Sequence, residues 1–141
     1  MVVRPRAALA SPAMKHALLL VNRTLLTLLG LATGAVKIAQ MADEMAIFAN
    51  AGFSTGATVG FGVVQLLAAL ALVHARSARA GASVLLLSFV VATGVLFVNA
   101  MVAFGVFSLL FIAMAAIVIA QPEVGAPIKD RAAAASSPAA R

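Results

Sequence analysis

The chain has 141 residues, 64% of them hydrophobic and only 10% charged, with a mean hydropathy of +1.12. A soluble domain averages about 25% charged residues, so a water-facing globule is excluded and the chain reads as a one-domain integral membrane protein. The absence of cysteine excludes a disulfide, a thiol redox centre and a thiolate metal site. The net charge of +6 is read as topogenic, because the basic residues lie mainly in short segments between and beyond the apolar runs. The expected partners are therefore the bilayer and its anionic headgroups, with no nucleic acid.

Residues 1–16 carry Arg4, Arg6 and Lys15 among Ala and Pro. Ala8-Leu9-Ala10 resembles a cleavage site, but no apolar core precedes it, so the segment reads as the cytoplasmic flank of an uncleaved anchor. The first span is predicted at about 17–38. On a helix turning about 100° per residue, Arg23, Thr27, Gly30, Gly34 and Lys37 fall within about 80° of one another. One face of this helix is thus small and polar and the other apolar, the pattern of a membrane helix packed on its neighbours through small residues.

Residues 40–55 hold Asp43 and Glu44 and are too short and mixed to span. Met41, Met45, Phe48 and Ala49 recur at helical spacing, which predicts a short amphipathic helix at the interface. The second span, about 56–75, opens on Gly56 and Gly60, a candidate packing step. Gln65 sits about 13 Å along this span, near the bilayer midplane, where an amide must find a hydrogen-bond partner. A basic loop with His74, Arg76 and Arg79 follows.

Residues 82–120 are almost wholly apolar or small. As one helix they would run about 58 Å, nearly twice the hydrocarbon core. Two spans are expected, at about 80–98 and 101–120, broken at Asn99. Gln121-Pro122 stops the last one, and the Ala-, Ser- and Pro-rich remainder to 141 reads as a flexible cytoplasmic tail. All three basic segments then fall on one side, which predicts cytoplasmic termini.

This order of features resembles the DoxX-like family, small bacterial four-helix membrane proteins. The resemblance rests on Leu31-Ala32-Thr33-Gly34-Ala35-Val36-Lys37 in the first helix, the Ala-Gly-Phe turn at 51–53 and the pattern Gly62-Val63-Val64-Gln65-Leu66-Leu67-Ala68-Ala69-Leu70 in the second. It covers roughly residues 17–120. It implies a bacterial inner-membrane location and an accessory role, since some relatives accompany redox enzymes such as thiosulfate–quinone oxidoreductase. One departure matters: the family usually has Glu where this chain has Gln65, and glutamine can hydrogen-bond but not titrate.

Several residues carry candidate chemistry. Lys37 is either a cation facing the bundle, as its shared glycine face suggests, or an interfacial anchor snorkelling outward, as its place at a span end suggests. Gln65 either lines a ligand site or glues helices together. His16 and His74 lie at span ends on the same side, too few ligands for a zinc site. Phe104, Phe107 and Phe111, with Met101 and Met114, form a stripe that suits lipid contact or packing more than stacking on a quinone. Asp43 and Glu44 are adjacent and diverge by about 100° on a helix. No catalytic pair emerges.

The expected architecture is an all-α bundle of four transmembrane helices with an amphipathic helix between the first and second spans. The leading functional expectation is a non-catalytic accessory subunit or scaffold of a larger, redox or respiratory, complex, or a homo-oligomer, joined through Gly30, Gly34, Gly56 and Gly60. The alternative is a small-molecule binding or transport protein. Its site would lie between the first two spans at Lys37 and Gln65, taking a quinone, lipid or small anion.

Overall fold

The computed structural model describes residues 12–121, and all its regular elements are helices. They are α1 (Pro12–Ile38), α2 (Ala42–Asn50), α3 (Thr55–Val73), α4 (Ala78–Val98) and α5 (Val102–Ala120). The segments before residue 12 and after residue 121, with the N-terminal flank and tail expected there, lie outside the described residues. Four of the helices are long and apolar enough to cross a membrane. The limits of α3, α4 and α5 lie within two residues of the expected spans, whereas α1 begins at Pro12, five residues before the expected start at 17.

The four long helices alternate in direction around a ring, in which α1 packs on α3, α3 on α4, α4 on α5 and α5 back on α1. Their outer faces expose large apolar side chains such as Leu18, Leu67, Leu87, Val98 and Phe104. That is the surface a lipid-facing bundle presents.

Three turns close with the same hydrogen-bond signature. After α4 the Met101 N–H donates to Leu96 O and the Ala100 N–H to Phe97 O, with Ala100 left-handed at φ 56°. Gln40 (φ 53°) after α1 and Gly52 (φ 87°) after α2 repeat it. These are Schellman caps, which satisfy the last carbonyls of a helix. The break between the last two spans thus falls at Asn99, as expected. The residue with turn geometry is its neighbour Ala100, and Asn99 is the C-cap.

The interior is divided along its length. From the α2 end to mid-bundle, the buried set includes Thr58, Gln65, Ser88, Thr93, Ser108 and Lys37. Toward the other end it is Leu26, Ala68, Ala69, Leu72, Ala78, Ala82, Leu85, Ala115 and Val118. Polar side chains in hydrocarbon require internal partners. Thr93 and Ser108 pair with their hydroxyls 2.5 Å apart, one donating to the other, and the accepting hydroxyl is left to donate to a carbonyl of its own helix.

Candidate functional site

The glycine face of α1 explains how the site forms. A Cβ on Gly34 would lie 2.8 Å from Gly62 O, and a Cβ on Gly30 would lie 2.9 Å from the Ala69 Cβ. Both are packed inside the bundle against α3. The expected second step is not: a Cβ at Gly56 or Gly60 would meet nothing within 4 Å. The glycine of α3 that makes the close crossing is Gly62, whose added Cβ would lie 2.7 Å from the Lys37 Cβ. The two expected glycines face outward because the buried face of α3 runs through Thr58, Gly62, Gln65, Ala69 and Leu72.

The stem of Lys37 therefore crosses Gly62, and only 2% of the residue is exposed. It does not snorkel outward. Its ammonium donates to Glu44 Oε1 at 2.5 Å and to Thr33 O at 3.3 Å. It also sits 4.9 Å from the centre of the Phe48 ring and 5.9 Å from that of Phe61. Both distances suit a cation–π contact, worth about 0.5–2 kcal/mol. The third N–H of the ammonium has no oxygen partner among the described residues.

Glu44 reaches Lys37 because α2 folds back over the bundle end. Phe48, 2% exposed, is the buried anchor of α2, and it meets Phe53 edge-on at 5.3 Å. At its far end α2 is tied to the α4–α5 turn: Asn99 Nδ2 donates to Ile47 O, and Asn50 Nδ2 donates to Asn99 Oδ1. Asp43 is exposed to solvent, turned about 100° from Glu44 as their adjacency requires. The amphipathic connector is thus a strap across the polar half of the bundle.

Gln65 lies one helical turn below Gly62. It is 0% exposed, and among the described residues neither its Oε1 nor its Nε2 has a hydrogen-bond partner. An unpaired amide in an apolar interior costs about 1–3 kcal/mol by protein mutational data. Gln65 makes no interhelical hydrogen bond among the described residues. Lys37 and Gln65 occupy neighbouring turns of the α1–α3 contact without bonding each other.

The other candidates stay apart from this site. His16 and His74 are exposed, and no group of three or more metal-ligating side chains occurs among the described residues. Phe104 and Phe107 are exposed, whereas Phe111 is half-buried against Phe89 at 5.8 Å. Sequence reasoning missed Glu44, Gly62, Phe48 and Phe61. The usable signal was the spacing Thr58-Gly62-Gln65-Ala69-Leu72, a single stripe that places Gly62 beside Gln65.

No protein-family model matches the chain, and no curated protein or solved structure shows significant similarity to it.

Proposed function

We propose that the chain is a small-molecule-binding membrane protein, not a catalyst, with its site under α2 between α1 and α3. The observation that carries this reading is Gln65, a wholly buried amide with no partner one turn below a buried ammonium. A ligand offering an acceptor to Lys37 and a polar group to Gln65 would satisfy both. A quinone carbonyl head or a small anion has that chemistry. Glu44 holds the place such an acceptor would take, and the strap α2 would move to admit it. In this reading the protein sits in a bacterial inner membrane with both termini cytoplasmic and α2 on the far side, in line with the distribution of Lys and Arg.

Native mass spectrometry of protein extracted gently from its own membrane tests this. Wild type is expected to carry a bound small molecule that Lys37→Met and Gln65→Leu lose while the bundle stays folded. Wild type without one, or variants that keep it, would overturn the reading.

An accessory-subunit or homo-oligomer role has one observation in its favour. Gly56 and Gly60 leave an exposed small-residue strip on α3 with room for a neighbouring helix. Gly30 and Gly34 do not contribute, since the bundle itself occupies them. A stoichiometric protein partner in the same spectrum, lost in Gly60→Leu, would favour this second role.

A further inference from the structure

At the end away from α2, a cleft of about 330 Å³ opens on the bundle surface between α1 and the end of α3. Its lining is Leu20, Arg23, Thr24, Thr27, Leu28 and Val73. Its three apolar lining residues face outward: Leu20, Leu28 and Val73 are all at least half exposed, at 50%, 57% and 64%. From Leu20 to Leu28 the cleft follows about 12 Å of α1.

Arg23 is the one charge in it. Its Nε donates to Leu72 O at 2.5 Å and its Nη2 to Val73 O at 2.7 Å. These are terminal carbonyls of α3, so the guanidinium sits level with the end of that apolar helix. Two of its five N–H groups are thereby used, and three remain. Among the described residues no carboxylate pairs with it, since the one ion pair there is Lys37–Glu44. The surrounding end is basic. Lys15, Arg76 and Arg79 are exposed there, and the only described carboxylates, Asp43 and Glu44, lie at the opposite end.

The geometry points to a binding site for an anionic phospholipid, with its phosphate on the Arg23 guanidinium and an acyl chain lying along Thr27 and Leu28. Three features favour a lipid. The cleft opens on an outward-facing surface of the bundle, its cation lies level with the end of α3, and Leu28 extends the lining away from that cation along α1. A guanidinium fixed by two carbonyls is also pre-oriented to present its remaining donors to phosphate oxygens. This site is independent of the one under α2.

Native mass spectrometry of the delipidated full chain, titrated with phosphatidylglycerol or phosphatidylcholine, tests it. Wild type is expected to keep one phosphatidylglycerol at collision energies that strip phosphatidylcholine. Arg23→Gln should weaken that adduct about tenfold, the equivalent of losing one charge-assisted contact. Because Arg23 also caps α3, a second variant leaves it in place: Thr24→Trp fills the cleft from the exposed face and should weaken the adduct to the same extent. Lys37→Met should leave it unchanged. Equal retention of the two lipids, or an adduct that survives both Arg23→Gln and Thr24→Trp, would overturn the proposal. So would displacement by inorganic phosphate alone, which would make the site one for a free anion.

Discussion

Gly34 and Gly62 are pressed together so closely that a Cβ on either would lie 2.8 Å from the carbonyl oxygen of the other. This reciprocal contact brings α1 and α3 near enough for Lys37 to pass across Gly62 and be enclosed. It also sets the first expectation. Gly62→Ala or Gly34→Ala should destabilise the bundle by about 1–3 kcal/mol, the usual cost of overpacking against backbone. Gly60→Ala, on an exposed helical position with open space, should be neutral or stabilising by about 0.5–1 kcal/mol. Thermal unfolding in detergent checks both, and equal effects at the two positions would sink the assignment.

The Lys37–Glu44 pair should behave as a unit. Removing one partner of a buried ion pair costs about 3–5 kcal/mol. Glu44→Gln is expected near the lower end of that range, because its side chain remains 26% exposed. The double variant Lys37→Met/Glu44→Gln should recover most of the loss. A double-mutant cycle on unfolding free energy measures the coupling, and additive losses would mean the pair contributes nothing to stability.

Gln65→Leu should raise the stability of the ligand-free bundle by about 1–3 kcal/mol, since it removes an unpaired buried amide at similar volume. The same variant should lose the ligand. A fall in ligand-free stability would show that the amide has a partner after all, bound water included.

The strap should loosen from its far end first. Asn99→Ala removes the bond to Ile47 O and the acceptor for Asn50, together worth about 1–3 kcal/mol. Hydrogen exchange should then speed up in α2 while α3 and the middle of α4 stay protected. Uniform acceleration across the bundle would mean that α2 is not a separate unit. In the adjacent turn, Ala100→Gly should stabilise by about 1 kcal/mol, because an L-residue at φ 56° pays a left-handed penalty that glycine avoids.

The chain contains no cysteine, so single-cysteine labelling can fix its orientation without background. Asp43→Cys should react with a membrane-impermeant maleimide in intact cells, and Ala75→Cys only after the cells are opened. The reverse pattern would invert the orientation proposed for the protein.

Much of the fold was legible in the sequence. The spans follow from hydropathy and length alone, and the split of the long apolar run follows from a bilayer too thin to hold it as one helix. The face of α1 was also legible, because Arg23, Gly30, Gly34 and Lys37 differ so plainly from the leucines opposite. On α3 that contrast is missing. Nearly every residue of α3 is apolar or small, so the spacing of Gly56 and Gly60 marks a face without saying whether it points to a helix or to lipid. The enclosure of Lys37 was illegible for a different reason. Its counter-charge arrives on α2 after a reversal of the chain at Gln40, and whether a short amphipathic helix lies on the membrane or folds over its own bundle depends on long-range contacts. Those contacts are made by Phe48 and by the carbonyl of Ile47. The fate of Gln65 depends in turn on side chains of other helices, none of which offers its amide a hydrogen bond among the described residues.

If a solute enters beneath α2 as proposed, the lengthwise division of the interior makes its site a cul-de-sac. A solute reaching Gln65 from beneath α2 would next meet Leu26, Ala69, Leu72 and Leu85, packed with no polar foothold. Passage to the other side would require the bundle to come apart, not merely the strap to lift. On the proposed reading, entry and exit share the mouth beneath α2, and a bound solute exchanges with that side alone. That division fits the proposed role of holding a small molecule better than one of conducting it.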